Sequence, residues 1–266
     1  VGPGFDLMGF ALEEPGDLLV VKKNNSMSLR IINNSLSHLP EDPKKNVASV
    51  AASALLKAMG SNQGFDLIFQ EKINPGSGIG SSAASCTSAV FGVNELMDQP
   101  FSKKELISFA LEGELLASGS IHADNIAPSM LGGFVLIRDY DPIDIIPLTF
   151  PEQLYAVIIH PEIEIKTSVS RKLIPEVIDI KNVLRQCGNI AGLISGLANS
   201  DYELIGRSLK DAIAEPVRAE LIPGYHEIKE KLTDAGAIGG NISGSGPSIF
   251  ALCMDYPSSE SVPEFI

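Results

Sequence analysis

The sequence predicts an α+β fold in two domains, and three observations carry that expectation. Runs that read as strands and runs that read as helices are mixed without strict alternation, which argues against a doubly wound parallel sheet. A length of 266 residues, 44% hydrophobic and 20% charged, is enough for two domains of ordinary size with cores of their own. The acidic, proline-containing stretch 139–151 offers a place to divide the chain, giving expected domains of residues 1–145 and 146–266.

Residues 17–22 and 27–32 are β-rich runs with polar residues between them. Residues 46–59 are expected to form a helix, because Asn46 is a capping type, apolar residues recur at helical spacing, and Gly60 stands at the stop. Residues 65–69 alternate as a strand and lead into a glycine-serine loop. Residues 81–97 are rich in Ala and uncharged until Glu95, which suits a helix buried on most of its surface. Ser102 and Glu105 make a capping box for a helix that runs through Ala117 and stops at Gly119. A polar loop at 122–125 and a strand at 133–138 follow.

The second half opens with strands at 143–148 and 154–160. Helices are expected near 182–198, 202–214 and 225–233, then a glycine-rich turn feeding a strand at 248–253. The chain starts at Val1 inside a motif, and 257–266 breaks off where a further helix would be natural, so residues are expected to be missing near both ends.

A net charge of −13 argues against a nucleic-acid partner, since phosphate-backbone binding draws on clustered Lys and Arg. It does not exclude an anionic small molecule in a locally positive pocket. Cys86, Cys187 and Cys253 are scattered and odd in number, which fits reduced, buried thiols in a cytoplasmic protein. No apolar run approaches the ~20 residues of a membrane span, so no membrane partner is expected.

The chemistry starts at Pro75-Gly76-Ser77-Gly78-Ile79-Gly80-Ser81-Ser82-Ala83-Ala84-Ser85. Glycines between a strand and a helix let the backbone take positive φ and approach a ligand closely. The N–H groups of Ser81, Ser82 and Ala83 would open the helix, where the dipole favours an anion. A Walker A loop needs a lysine after its glycines, and none follows here. A dinucleotide fingerprint needs G-x-G-x-x-G and a later acidic residue at a strand end, whereas the spacing here is G-x-G-x-G. What remains is a lysine-free helix-dipole site for phosphate.

The loop is similar to the second motif of the GHMP kinases. Val1-Gly-Pro-Gly-Phe-Asp-Leu-Met-Gly9 resembles their first motif, and Asn241-Ile-Ser-Gly-Ser-Gly-Pro-Ser248 their third, in the same order along the chain. Within that superfamily, Glu112-Gly-Glu114, Ser118-Gly-Ser-Ile-His-Ala-Asp-Asn-Ile-Ala-Pro128, Leu131-Gly-Gly133, Asp42-Pro-Lys-Lys-Asn46 and Ala214-Glu-Pro-Val-Arg-Ala-Glu-Leu-Ile-Pro-Gly224 look like the homoserine kinases. The resemblance implies a ribosomal-S5-like N-terminal domain, a ferredoxin-like C-terminal domain and an active site in the cleft between them. It implies transfer of the ATP γ-phosphoryl group to the hydroxyl of L-homoserine in threonine biosynthesis, with Mg2+, and a homodimer.

Site residues follow from the resemblance. Ser82 and Glu114 are the expected Mg2+ ligands, hard oxygens suited to that ion. Glu112, on another helix face, should not share the role. Arg171 and Arg218 match the positions that hold the substrate carboxylate, and Asp6, His122 and Asp124 would surround the amine and hydroxyl end. Asn125 stands where mevalonate-type relatives carry an aspartate. It cannot take a proton at neutral pH, so catalysis would rest on positioning and charge stabilisation. Thr167 is expected to hydrogen-bond the substrate hydroxyl, Ser243-Gly-Ser-Gly-Pro247 to close over the phosphates or shape the cleft, and Asn46 to meet adenine. Another GHMP kinase, acting on mevalonate or a sugar, and a non-catalytic nucleotide-binding module remain as alternatives.

Overall fold

In the computed structural model, which describes residues 1–255, a 3-10 turn at Gly2–Gly4 leads into β1 (Met8–Phe10), β2 (Leu18–Asn24) and β3 (Leu29–Asn33). There follow α1 (Val47–Ala58), β4 (Gly64–Glu71), α2 (Ser81–Leu96), α3 (Lys103–Ser118), α4 (Ala123–Leu131), β5 (Phe134–Tyr140), β6 (Ile143–Leu148) and β7 (Tyr155–Ile159). The remainder is α5 (Thr167–Lys172), α6 (Ile180–Asn199), α7 (Tyr202–Ser208), α8 (Glu215–Arg218), a 3-10 turn at Ala219–Leu221, α9 (Tyr225–Asp234), β8 (Gly239–Ile242) and β9 (Ile249–Cys253). The expected break-off at 257–266 lies outside the described residues.

The chain divides into two units. One holds Gly9–Pro75 and Gly80–Ile145; the other holds Val1–Met8, Gly76–Ile79 and the chain from Ile146. The expected boundary stretch 139–151 contains the β5–β6 turn, and the division falls after Ile145. No helix among the described residues is long and apolar enough to cross a membrane.

In the first unit, β4 is the middle strand of the sheet β2-β4-β3, antiparallel to β2 and parallel to β3. Its alternation buries Phe65, Leu67 and Phe69 on one face. Leu55 of α1, Val90 of α2, and Leu106 and Ile107 of α3 close the same core. Removing that apolar area from water is the main drive for docking these helices. The start signals work as their chemistry requires. Asn46 accepts from the N–H of Ala48 and Ser49, and Ser102 with Glu105 completes the capping box. In the second unit, β9 lies between β7 and β8, antiparallel to both, over a core that includes Ile222, Tyr225, Ile242 and Ile249.

The structure corrects several expectations. Residues 122–125 are not a loop, since α4 begins at Ala123 and carries Asp124 and Asn125 in its first turn. Pro128 sits inside α4 and has no N–H to give the carbonyl of Asp124. That carbonyl lies instead against Gly9 of β1, where a Cβ would come within 1.7 Å of it. The helix expected to reach residue 214 ends at Ser208, because the Asp211 carboxylate accepts from the N–H of Ile213, Ala214 and Glu215 and starts α8. The glycine-rich turn contains a strand, β8, whose Gly240 lets the chain pass close to Phe250: a Cβ there would lie 2.5 Å from its carbonyl. Cys187 is exposed and Cys253 half-buried, so only Cys86 is the buried thiol expected of all three.

Candidate functional site

The glycine-serine loop adopts the backbone its glycines permit. Gly76, Gly78 and Gly80 have φ of +76°, +81° and +80°, all in the left-handed region. Gly80 is the N-cap of α2 and contributes no side chain, so the first N–H groups of the helix lack an intrahelical acceptor and carry the positive end of its dipole. The Ser77 hydroxyl is buried and has no hydrogen-bond partner among the described residues. Helix-opening N–H donors of this kind fit a phosphate group.

Behind α2 lies a buried ion pair that the sequence did not announce. Lys72 bonds Asp17 at 3.2 Å, the two side chains being 2% and 0% exposed. Lys72 also donates to the carbonyls of Ile73 (3.0 Å) and Ser81 (2.9 Å) and to the Ser81 hydroxyl. Asp17 accepts from the Ile73 N–H at 2.9 Å and from Ser85 Oγ at 2.7 Å. Burial holds the Lys72 pKa below its usual value, against the pull of Asp17. The site is therefore lysine-free along the chain but not in space. Ser81 gives its hydroxyl to Ile73 O and Ser85 gives its own to Asp17, so these serines can offer a ligand only their backbone.

Ser82 is different. Its Oγ donates to Glu114 Oε2 at 2.7 Å, bringing the two expected metal ligands together. Glu114 is 7% exposed, and its carboxyl is pushed up to about 7, first by burial, with Asp124 adding repulsion and the Ser82 and Ser118 hydroxyls opposing. Gly113 lets α3 come close enough for this, since a Cβ there would lie 2.4 Å from Val47 O and 2.5 Å from Cys86 Sγ. Glu112 points to solvent. Asn125 is half-buried, its Oδ1 3.6 Å from where a Cβ on Gly80 would stand. His122 is buried, with Nε2 2.6 Å from Ser120 Oγ, and Asp124 is half-buried beside it at the start of α4.

The second unit holds three of the groups expected to bind an amino acid, Asp6, Arg171 and Arg218. Arg171 bonds Asp6 Oδ2 at 2.7 Å. Asp6 has φ of +59°, a backbone cost at a non-glycine residue of the kind found at functional sites. The Arg171 and Arg218 guanidinium groups lie 5.6 and 4.6 Å from the Phe5 ring centre. Arg218 is 4% exposed and donates to Gly244 O at 2.8 Å, which ties it to the third motif. Thr167, exposed at the start of α5, has Oγ1 3.3 Å from Ser245 Oγ in the same motif. The motif also packs on the glycine-serine loop, where a Cβ on Gly78 would lie 2.5 Å from Gly246 O. Ser248 donates to Ser77 O at 2.6 Å.

Asn46 is 2% exposed and already employed. Oδ1 caps α1 and Nδ2 donates to Pro40 O at 3.0 Å, so an adenine contact would have to use its remaining amide hydrogen.

Residues 46–133 match the family model of the GHMP kinases N terminal domain, and residues 193–266 match that of the GHMP kinases C terminal. The homoserine kinase of Chlorobium phaeobacteroides strain BS1 is 47% identical over 99% of this chain and 86% of its own. The crystal structure of homoserine kinase from Cytophaga hutchinsonii superposes with a TM-score of 0.92 at 44% identity, over 98% of this chain and 82% of that one. The L. major mevalonate kinase shares the fold, with a TM-score of 0.71 at 17% identity over 92% of this chain and 78% of that one.

Proposed function

The chain belongs to the homoserine kinases of the GHMP kinase family, and from that premise we propose how its residues carry the reaction. The enzyme transfers the γ-phosphoryl group of ATP to the side-chain hydroxyl of L-homoserine, giving ADP and O-phospho-L-homoserine for threonine biosynthesis. The observation that carries the substrate reading is the Arg171–Asp6 ion pair, with buried Arg218 beside it. A zwitterion can replace both halves of such a pair, its carboxylate going to the guanidinium groups and its ammonium to Asp6, without stranding a charge. Mevalonate has a carboxylate but no ammonium and would leave Asp6 unanswered.

The phosphates lie on the loop from Pro75 to Ser85, held by the backbone N–H groups that open α2, by the Ser77 hydroxyl and by the glycine-lined turn. Ser82 Oγ and the Glu114 carboxylate are hard oxygen donors already side by side, and they fit Mg2+. When bound, that ion neutralises charge on the β- and γ-phosphates. Asn46 contributes to the adenine end through its remaining amide hydrogen.

In the transfer, the bond from the γ-phosphorus to the ADP oxygen breaks and ADP departs with the electron pair. The homoserine hydroxyl oxygen takes its place. Thr167 orients that hydroxyl, and His122, Asp124 and Asn125 line the amine and hydroxyl end. Asn125 offers no base, so the hydroxyl proton passes to an oxygen of the phosphoryl group itself. Catalysis then consists of orientation and charge stabilisation, which suits a loose transition state. The reading includes a cytoplasmic homodimer, on the family resemblance.

A coupled ADP-release assay with homoserine, mevalonate and a hexose tests it. Homoserine alone should stimulate ADP release. If none of these alcohols does, the chain is a nucleotide-binding module and not a kinase.

A further inference from the structure

Gln186 lies on α6, outside all three motifs, and is buried at 6% exposure. Its amide makes three bonds, each to a residue distant in sequence. Nε2 donates to Pro3 O at 2.8 Å and to Asp211 Oδ1 at 2.9 Å. Oε1 accepts from the Ala212 N–H at 2.7 Å. One side chain therefore clamps the Gly2–Gly4 turn to the segment that follows α7.

Each clamped segment leads within a few residues to a group assigned to the substrate. Pro3 is followed by Phe5 and Asp6. Asp211 organises the run to Arg218: it accepts from Ile213 and Ala214 at 2.8 and 3.0 Å, and it exchanges a reciprocal pair of 3.2 Å bonds with Glu215, the first residue of α8. Glu215 is anchored in turn by Tyr225 at 2.8 Å, Asn241 at 2.7 Å and Lys229. The two segments meet again where Arg218 lies over the Phe5 ring. Pro3, Phe5, Arg218, Asp211 and Gln186 thus form a closed circuit, its two arms joined at one end by the Gln186 amide and at the other by Arg218 over the Phe5 ring.

We infer that Gln186 is a positioning residue for the amino-acid substrate: it sets the spacing between Asp6 and Arg218, and with it the affinity for the zwitterionic end of homoserine. This rests on reading Asp6 and Arg218 as the groups that hold that end. The three hydrogen bonds of Gln186 go to Pro3, Asp211 and Ala212, none of which is assigned to phosphate. Its loss should fall on one substrate and spare the other.

The experiment is steady-state kinetics of Gln186→Met, which keeps the volume and removes the amide. The KM for homoserine should rise on the order of tenfold or more, as expected for two or three lost buried hydrogen bonds, while the KM for ATP stays within roughly twofold. Gln186→Asn, with the amide on a shorter stem, should lie between the two, and it stands in under the same criterion if Gln186→Met does not fold. A homoserine KM that does not move, or an ATP KM that rises in step with it, overturns the inference. A wild-type protein that leaves homoserine untouched removes the functional reading, and this inference with it. An active wild type with an unmoved ratio removes this inference alone.

Discussion

Ser82 Oγ donates to Glu114 Oε2 across 2.7 Å, joining the first turn of α2 to the buried face of α3. The bond holds a buried carboxyl group, 7% exposed, against the opening turn of α2. Gly113 makes it possible by removing the side chain that would hold the helices apart.

Replacing that carboxylate tests its role directly. Glu114→Gln keeps the shape and the acceptor for Ser82 but loses the charge. Turnover should fall by about a hundredfold or more, and the Mg2+ concentration for half-maximal rate should rise, because an anionic ligand contributes several times the binding of a neutral one. A variant with an unshifted Mg2+ titration would remove Glu114 from the metal site.

The same group makes stability depend on pH. Its carboxyl titrates at about 7 in the folded chain against 4.5 ordinarily, chiefly through burial. Between those values the folded state keeps a proton that the unfolded state has lost, so the stability this group contributes falls as pH rises from 4.5 to 7. Thermal unfolding without divalent cations should show that decline, and Glu114→Gln should flatten it.

Gly9 and Gly16 form a matched pair. A Cβ on Gly9 would stand 1.7 Å from the Asp124 carbonyl, while one on Gly16 would meet nothing within 4 Å. Gly9→Ala should cost more than about 3 kcal/mol or prevent folding, and Gly16→Ala should stay within about 0.5 kcal/mol, as read by denaturant unfolding.

Asn46 separates a cap from a base contact. Asn46→Ala should lose about 1 kcal/mol of stability with the cap. Asn46→Asp retains the accepting oxygen of the cap but replaces the donor to Pro40 O with an acceptor in a buried position, so it should recover only part of it. If Asn46→Asp raises the KM for ATP at a temperature where it stays folded, the remaining amide hydrogen serves the nucleotide; an unmoved KM leaves Asn46 a capping residue only.

Much of this was legible from residue order because it is local. A capping box needs residues three apart, alternation needs neighbours, and a glycine-rich turn before an Ala-rich helix is complete within a dozen residues. Ser82 and Glu114 were readable as oxygen donors by resemblance, and Arg171, Arg218 and Asp6 as complementary charges. The exceptions had local causes too: the polar run from His122 to Asn125 disguised the start of α4 as a loop, and its glycines disguised β8 as a turn.

The glycine-serine loop shows where local signal ends. Sequence by itself determined its glycines, its helix and the absence of a following lysine. Only the tertiary structure decided that Lys72, paired with Asp17 from 55 residues away, would be buried against the carbonyl of Ser81, and that Gln186 would reach Pro3 across 183 residues. Such pairings leave no periodic or spacing signal. A buried charge or amide is stable only where its partners have been carried to it, and that is settled by how the strands and helices pack rather than by what stands beside it in the chain.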